Sequence, residues 1–111
     1  MIWEPLTSIE QFDQICSDSS ERVYLIFKHS TRCSISSMAK NRLEKKWREN
    51  IPVYKLLYLD LISFRELSSY IAEKLAVHHE SPQIIIISNQ KAIYHASHNS
   101  ISVDQIVAQL G

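Results

Sequence analysis

Two cysteines and five histidines carry the groups of this 111-residue sequence able to act as nucleophiles, proton carriers or metal ligands near neutral pH. Cys33 has the most informative surroundings. It follows the apolar run Val23-Tyr24-Leu25-Ile26-Phe27 and the polar stretch His29-Ser30-Thr31-Arg32, and a helical pattern begins at it. A strand that passes through a short loop into a helix at Cys33 puts the sulfur where unpaired amide N–H groups and the positive end of the helix dipole stabilise negative charge. A thiol so placed ionises more readily, and the thiolate is the form that attacks disulfides. Lys28 and Arg32 are expected to act in the same direction, and His29, in the loop, is expected either to polarise Cys33 or merely to occupy the loop. Where a dithiol oxidoreductase would carry a second cysteine, the segment Cys33-Ser34-Ile35-Ser36 has a serine. A hydroxyl can donate a hydrogen bond to a thiolate but cannot form a disulfide. The expected chemistry is a monothiol cycle, in which Cys33 attacks a mixed disulfide, keeps the small thiol and is freed by an external reductant.

Ser81-Pro82 stands directly before Gln83-Ile84-Ile85-Ile86-Ile87. A cis X-Pro bond at such a point would leave the preceding backbone free to pair with an extended substrate. Cys16 shares the apolar face of a first helix with Ile9 and Phe12, and is expected to fill core as a small hydrophobe. His78 and His79 read as capping or solvated groups at a helix end. Trp3 and Trp47 fit core-edge packing. The basic run from Lys40 to Arg48 is interleaved with Glu44, and is read as a solvated helix face.

These groups need elements to hold them. Ser8 with Gln11 has the spacing of a helix start, and Ile9, Phe12, Ile15 and Cys16 recur at helical intervals. Val23 to Phe27 suits a strand buried on both faces. Met38, Ala39, Leu43 and Trp47 give a helix from about Cys33 to Glu49, ended ahead of Pro52. Val53 to Leu61 reads as a second inner strand. Ser63 is the expected cap of a third helix over Phe64 to Val77, with Leu67, Ile71 and Leu75 inward. Gln83 to Ile87 and Ala92 to Ala96 make a hairpin around Ser88-Asn89-Gln90-Lys91, although that turn lacks glycine. A last helix runs through Val103, Ile106, Val107 and Leu110. The order implies an α/β domain of thioredoxin-like arrangement spanning residues 1–111, a central mixed sheet of about four to five strands with helices on both faces.

Bulk properties narrow the function. Twelve basic residues balance twelve acidic ones, so no overall field exists to hold the phosphates of nucleic acid. No apolar stretch approaches the ~20 residues needed to span a bilayer, and the opening Met1-Ile2-Trp3-Glu4-Pro5 has no basic and apolar leader pattern. A cytoplasmic location without membrane or nucleic-acid partners is the expectation. The two cysteines match no zinc spacing, and a reducing compartment disfavours a structural disulfide between them. No metal site and no bound cofactor are expected.

Phe27-Lys28-His29-Ser30-Thr31-Arg32-Cys33-Ser34-Ile35-Ser36, with Ser81-Pro82-Gln83 and the late Ser97-His98-Asn99-Ser100-Ile101, resembles the monothiol bacilliredoxin family over essentially the whole chain. Those bacterial proteins are thioredoxin-like and carry a Thr-Cys-Pro-Ile-Ser type motif. Here Arg32 stands between Thr31 and Cys33, and Ser34 takes the place of the family's proline. The resemblance implies removal of bacillithiol from S-bacillithiolated proteins, with bacillithiol or another low-molecular-weight thiol as co-substrate. It implies Cys33 and Ser36 as catalytic residues. Thr31, Arg32, Ser34, Ser81, Pro82 and His98 are expected to contact the substrate.

Other classes use part of this pattern. A monothiol glutaredoxin-like iron–sulfur carrier also has Cys-x-x-Ser, but with Gly-Phe between, where this chain has the bulkier Ser34-Ile35. An arsenate-reductase or phosphatase cradle needs an arginine six residues after the cysteine, and Ala39 stands there. A thioredoxin-like binding module without turnover would leave Cys33 an ordinary thiol.

Overall fold

Tyr24 to His29 form β2 (Tyr24–His29), and every one of these residues is buried. A strand is buried on both faces only if it lies inside a covered sheet, and the topology provides that. The computed structural model describes residues 1–110. It orders the chain as β1 (Trp3–Pro5), α1 (Ile9–Asp18), β2, α2 (Ser34–Lys46), β3 (Lys55–Asp60), α3 (Arg65–Leu75), β4 (Gln83–Ser88), β5 (Lys91–Ser97), a 3-10 turn at His98–Ser100 and α4 (Val103–Leu110). The sheet runs β1-β3-β2-β4-β5. β1, β3 and β2 are parallel, whereas β4 and β5 are antiparallel additions. This is the thioredoxin-like α/β sheet expected, with five strands.

Alternation along the strands divides the core in two. Tyr24, Ile26, Leu57, Leu59, Ile85 and Ile87 pack with Phe12, Leu67 and Ile71 of α1 and α3. Leu25, Phe27, Leu56, Ile84 and Ile86 pack with Ala39 and Leu43 of α2 and Val103 and Ile106 of α4. Period-two strands meeting period-3.6 helices on both sides produce this layering.

Several local details depart from expectation. The edge strand β1 was not foreseen. It pairs in register from Trp3 with Leu56 to Pro5 with Tyr58, and only the neighbouring strand makes so short a segment extended. Ser8 caps α1 as expected, accepting from the Gln11 amide at 3.1 Å, but the Gln11 side chain reaches back to the Thr7 amide, 2.9 Å. Helix α2 ends at Lys46, ahead of the expected Glu49. Trp47 leaves it in extended geometry and packs against the α2/α4 core. Ser63 does not cap α3: its hydroxyl donates to Asp60 Oδ2 at 2.9 Å, and Phe64 occupies the cap position without a side-chain bond. The hairpin turn needs no glycine. Asn89 and Gln90 both take positive φ, 53° and 65°. Their amides are held by the carbonyl and hydroxyl of Ser19, at 2.6 and 2.8 Å, which offsets the strain of that backbone.

Lys28 departs furthest. Its neighbours on β2 face alternate cores, and Lys28 points to the α1/α3 side, away from the role of assisting Cys33. It is 0% exposed, and among the described residues its Nζ meets the Ser68 carbonyl and His79 Nδ1, both at 3.4 Å. His79, expected as a capping or solvated group, is exposed and is not the cap of α3. Helix α3 ends at Leu75 with Ala76 in left-handed geometry, and His79 lies beyond it against Lys28 and the Ser68 hydroxyl. Burial pulls the Lys28 pKa down from 10.5 to about 8.

The folded state therefore carries below pH 8 a desolvated ammonium that the unfolded chain would hydrate. Between about pH 8 and 10.5 the folded form sheds its proton first, so this handicap fades as pH rises. Lys28→Met keeps the stem and removes the charge. It is expected to stabilise the protein by about 1–3 kcal/mol at pH 7, with the gain shrinking toward pH 10.5. Urea unfolding at both pH values measures this, and an unchanged or lower stability at pH 7 would refute it.

Candidate functional site

The loop after β2 delivers Cys33 to the start of α2, just ahead of Ser34. Cys33 is the N-cap, in extended geometry with φ −108° and ψ 121°, and its side chain makes no capping hydrogen bond. Its carbonyl accepts the first intrahelical bond, from the Ser37 amide at 3.1 Å, while its own amide donates to Ser30 O at 3.1 Å. Cys33 thus occupies the residue position at which a capping hydroxyl is common, at the helix end whose first-turn amides have no intrahelical partner. Cys33 is a free thiol, half-buried.

Ser36, one turn on, is 0% exposed. Its hydroxyl accepts from the Ser30 amide at 3.1 Å and lies 2.6 Å from His29 Nδ1. It makes no hydrogen bond to the Cys33 sulfur. His29, expected in a loop, is instead the buried last residue of β2, paired with Asp60 of β3. Its ring is stacked on Phe27 at 5.5 Å and tilted against Tyr58 at 5.4 Å. Burial, helped by the Lys40 charge and opposed by Asp60, holds its pKa below the usual histidine value.

Ser81 and Pro82 come to the same end of the sheet, because β4 runs antiparallel to β2 and begins with Gln83 opposite Lys28. The Ser81–Pro82 bond is cis. Ser81 precedes the ladder, and its hydroxyl is buried without a partner. The Pro82 carbonyl is occupied by the His98 amide at 3.0 Å. His98 has positive φ, 52°, and its Nδ1 is 3.5 Å from Glu80. Thr31, Arg32 and Ser34 are exposed next to Cys33 along the chain.

One residue that sequence reading missed joins these parts. Arg42 Nη2 donates to the His98 carbonyl at 2.9 Å and lies 3.5 Å from that of Ile101. Through it α2, the 3-10 turn and the cis-proline segment form one connected unit. Arg42 was hidden in the basic run taken as a solvated face, and no spacing links position 42 to 98. Cys16 sits elsewhere, half-buried on α1 against the α1/α3 core, where burial, then Asp13, pushes its thiol pKa up. Trp3 fits its core-edge role: it packs on Phe27 at 5.5 Å, and its indole donates to Glu44 at 2.9 Å.

Solved structures share this architecture. A thioredoxin from Fasciola hepatica superposes with a TM-score of 0.73 at 15% identity, covering 97% of this chain and 99% of its own. One from Trypanosoma brucei brucei does so at 0.73 and 21%, covering 98% and 88%. At higher identity, 31%, a structure described as a putative oxidoreductase with a thioredoxin fold matches with a TM-score of 0.84, over 97% of this chain and 93% of its own. A cysteine at a helix start, a Cys-x-x-Ser pattern and a cis-proline on such a sheet define a thioredoxin-fold thiol oxidoreductase. The family described as monothiol bacilliredoxin BrxC matches residues 4–106, and this chain belongs to that family.

Arg42→Ala would free the His98 turn from α2. We expect a loss of about 1 kcal/mol in urea unfolding. Amide exchange at His98 should quicken while that of central β4 amides keeps pace only with global stability; an unchanged His98 rate would show that Arg42 does not hold the turn.

Proposed function

We propose that the protein removes a low-molecular-weight thiol from S-thiolated protein cysteines, with bacillithiol as the thiol its family indicates. The Cys33 thiolate attacks the small thiol's sulfur in the mixed disulfide. A new disulfide forms between Cys33 and the small thiol, and the protein cysteine leaves as thiolate and takes a proton from solvent. A second, external thiol then attacks that adduct, releases Cys33 and is itself oxidised to a mixed disulfide.

The observation that carries this reading is Ser36 at the turn next to Cys33, a residue that cannot close an internal disulfide. The other thiol, Cys16, precedes Ser19, which holds the β4–β5 turn at the opposite end of the sheet from Cys33. The adduct therefore has to await an outside reductant. In this reading Ser81 and Pro82 line the approach of the substrate backbone, and Thr31, Arg32, Ser34 and His98 border it. Ile35 and Met38, 53% and 60% exposed, give the rim an apolar contact for a protein substrate. The cycle calls for no metal or organic cofactor, and it suits the reducing cytoplasm, where S-thiolated proteins and a reductant meet.

Incubation with an S-bacillithiolated protein, followed by intact-mass and peptide mass spectrometry, tests the reading. The substrate should lose its adduct while Cys33 gains one of bacillithiol mass. Cys33→Ser should abolish the transfer, and Cys16→Ser should leave it unchanged. An adduct on Cys16 with Cys33 unmodified would overturn the assignment. Replacing Ile35 and Met38 together by serine should slow transfer from the protein substrate several-fold more than from a small mixed disulfide, and equal effects on both would remove the docking role.

A further inference from the structure

The Lys28 ammonium takes no part in that cycle, but its contacts reach the segment that leads into Ser81 and Pro82. Nζ lies 3.4 Å from the Ser68 carbonyl of α3 and 3.4 Å from His79 Nδ1, and the Ser68 hydroxyl lies 3.2 Å from the same ring nitrogen. An ammonium has three protons to give and no lone pair to receive one. While Lys28 is charged, Nδ1 is therefore the acceptor, and a neutral His79 ring carries its proton on Nε2. The same segment is held on either side of His79. The His78 carbonyl accepts from the Gln83 side chain at 3.0 Å, and Glu80 accepts from the Ser97 hydroxyl at 2.6 Å with His98 Nδ1 3.5 Å away. The His79 contact differs from these in that one proton on Nδ1 undoes it.

We propose that Lys28 and His79 form an acid-released latch: the buried ammonium holds the His79 ring, and with it the segment 78–82 at the Cys33 end of the sheet, until Nδ1 takes a proton and the two cations part. Protons have access, because His79 is exposed and borders a cavity of about 310 Å³ with Leu61, Arg65, Ser68 and Ser69. Two unit charges this close cost the ring about 5-fold or more in proton affinity even in the dielectric of water. Burial first, then the Lys28 and His78 charges, hold the His79 pKa below the usual histidine value, and Glu80 opposes them. With Arg65 on the cavity wall, these are the charged and titratable groups facing the ring among the described residues. The latch is closed at neutral pH and opens as pH falls through the lowered His79 pKa. Above about pH 8 Lys28 becomes an amine that still has N–H groups to donate, so release belongs to the acid side. Its effect on transfer rests on the reading that Ser81 and Pro82 border the substrate, whereas the latch itself does not.

Ring and amide NMR from mild acid to mild alkali tests the latch. In the parent, the His79 ring should start as the Nε2-protonated tautomer and titrate below the usual histidine value, and the Ser81 backbone amide and Gln83 side-chain amide should shift with the same midpoint. Lys28→Met should raise the His79 proton affinity about 5-fold or more and flatten the step in both amides. His79→Asn offers an acceptor in the place of Nδ1 that takes no proton, and should keep both amides at their neutral-pH shifts. An Nδ1-protonated ring at neutral pH, a midpoint unmoved by Lys28→Met, or an amide step that survives His79→Asn and so belongs to His78 or Glu80 would each overturn the proposal. In the transfer assay at pH 7, Lys28→Met should raise KM for an S-thiolated protein about 2- to 10-fold with kcat kept, while resisting urea better than the parent. A merely structural role would lower stability and activity together, and an unchanged KM would remove the latch from the site. A parent that fails to transfer yet shows the latch titration would sink the proposed function alone.

Discussion

The placement of β2 between β3 and β4, with both faces covered, is the constraint from which the site follows. Parallel pairing with β3 and antiparallel pairing with β4 fill both of its edges, and the two cores fill both of its faces. A strand so enclosed has no freedom to slip, since a shift of one residue would turn Leu25 and Phe27 into the wrong core. Its end is consequently a fixed point, from which a short loop carries the chain to Cys33. Because β4 is antiparallel, the same pairing brings its beginning, Ser81 and Pro82, to that end. Two segments about fifty residues apart are thus brought together by one ladder.

The site is completed by bonds that cross elements. Ser36 ties α2 back to the loop through the Ser30 amide and to β2 through His29. Arg42 ties α2 to the 3-10 turn, whose His98 amide in turn holds the Pro82 carbonyl. The result is a thiol whose surroundings are held by backbone groups and buried side chains, while Thr31, Arg32, Ser34 and Ile35 remain exposed around its place in the chain. Rigid support under an accessible group suits exchange chemistry, in which the attacking sulfur must line up with both sulfurs of a disulfide.

The polar residues of β2 show how one strand can serve two purposes. Lys28 and His29 are adjacent, so the pleat sends them to opposite faces. His29 faces the α2 side and meets Ser36. Lys28 faces the α1/α3 side, where among the described residues no carboxylate pairs with it and burial lowers its pKa. Both looked like helpers of Cys33 because they precede it closely, but adjacency along a strand separates side chains.

The amino-acid pattern by itself determined the order of strands and helices, the thioredoxin-like arrangement, the position of Cys33 at a helix start and the serine in place of a second thiol. These depend on short-range periodicity, on caps and on proline, and such signals are carried within a few neighbouring residues. What only the tertiary structure decided was of another kind: the edge strand Trp3–Pro5, the early end of α2 at Trp47, the loss of the Ser63 cap to Asp60, the burial of Lys28 and His29, and the reach of Arg42 to His98. Each of these depends on a partner distant in sequence or on which face of an element is covered. Local propensity carries no information about such a partner until the sheet has assembled and put the two groups side by side.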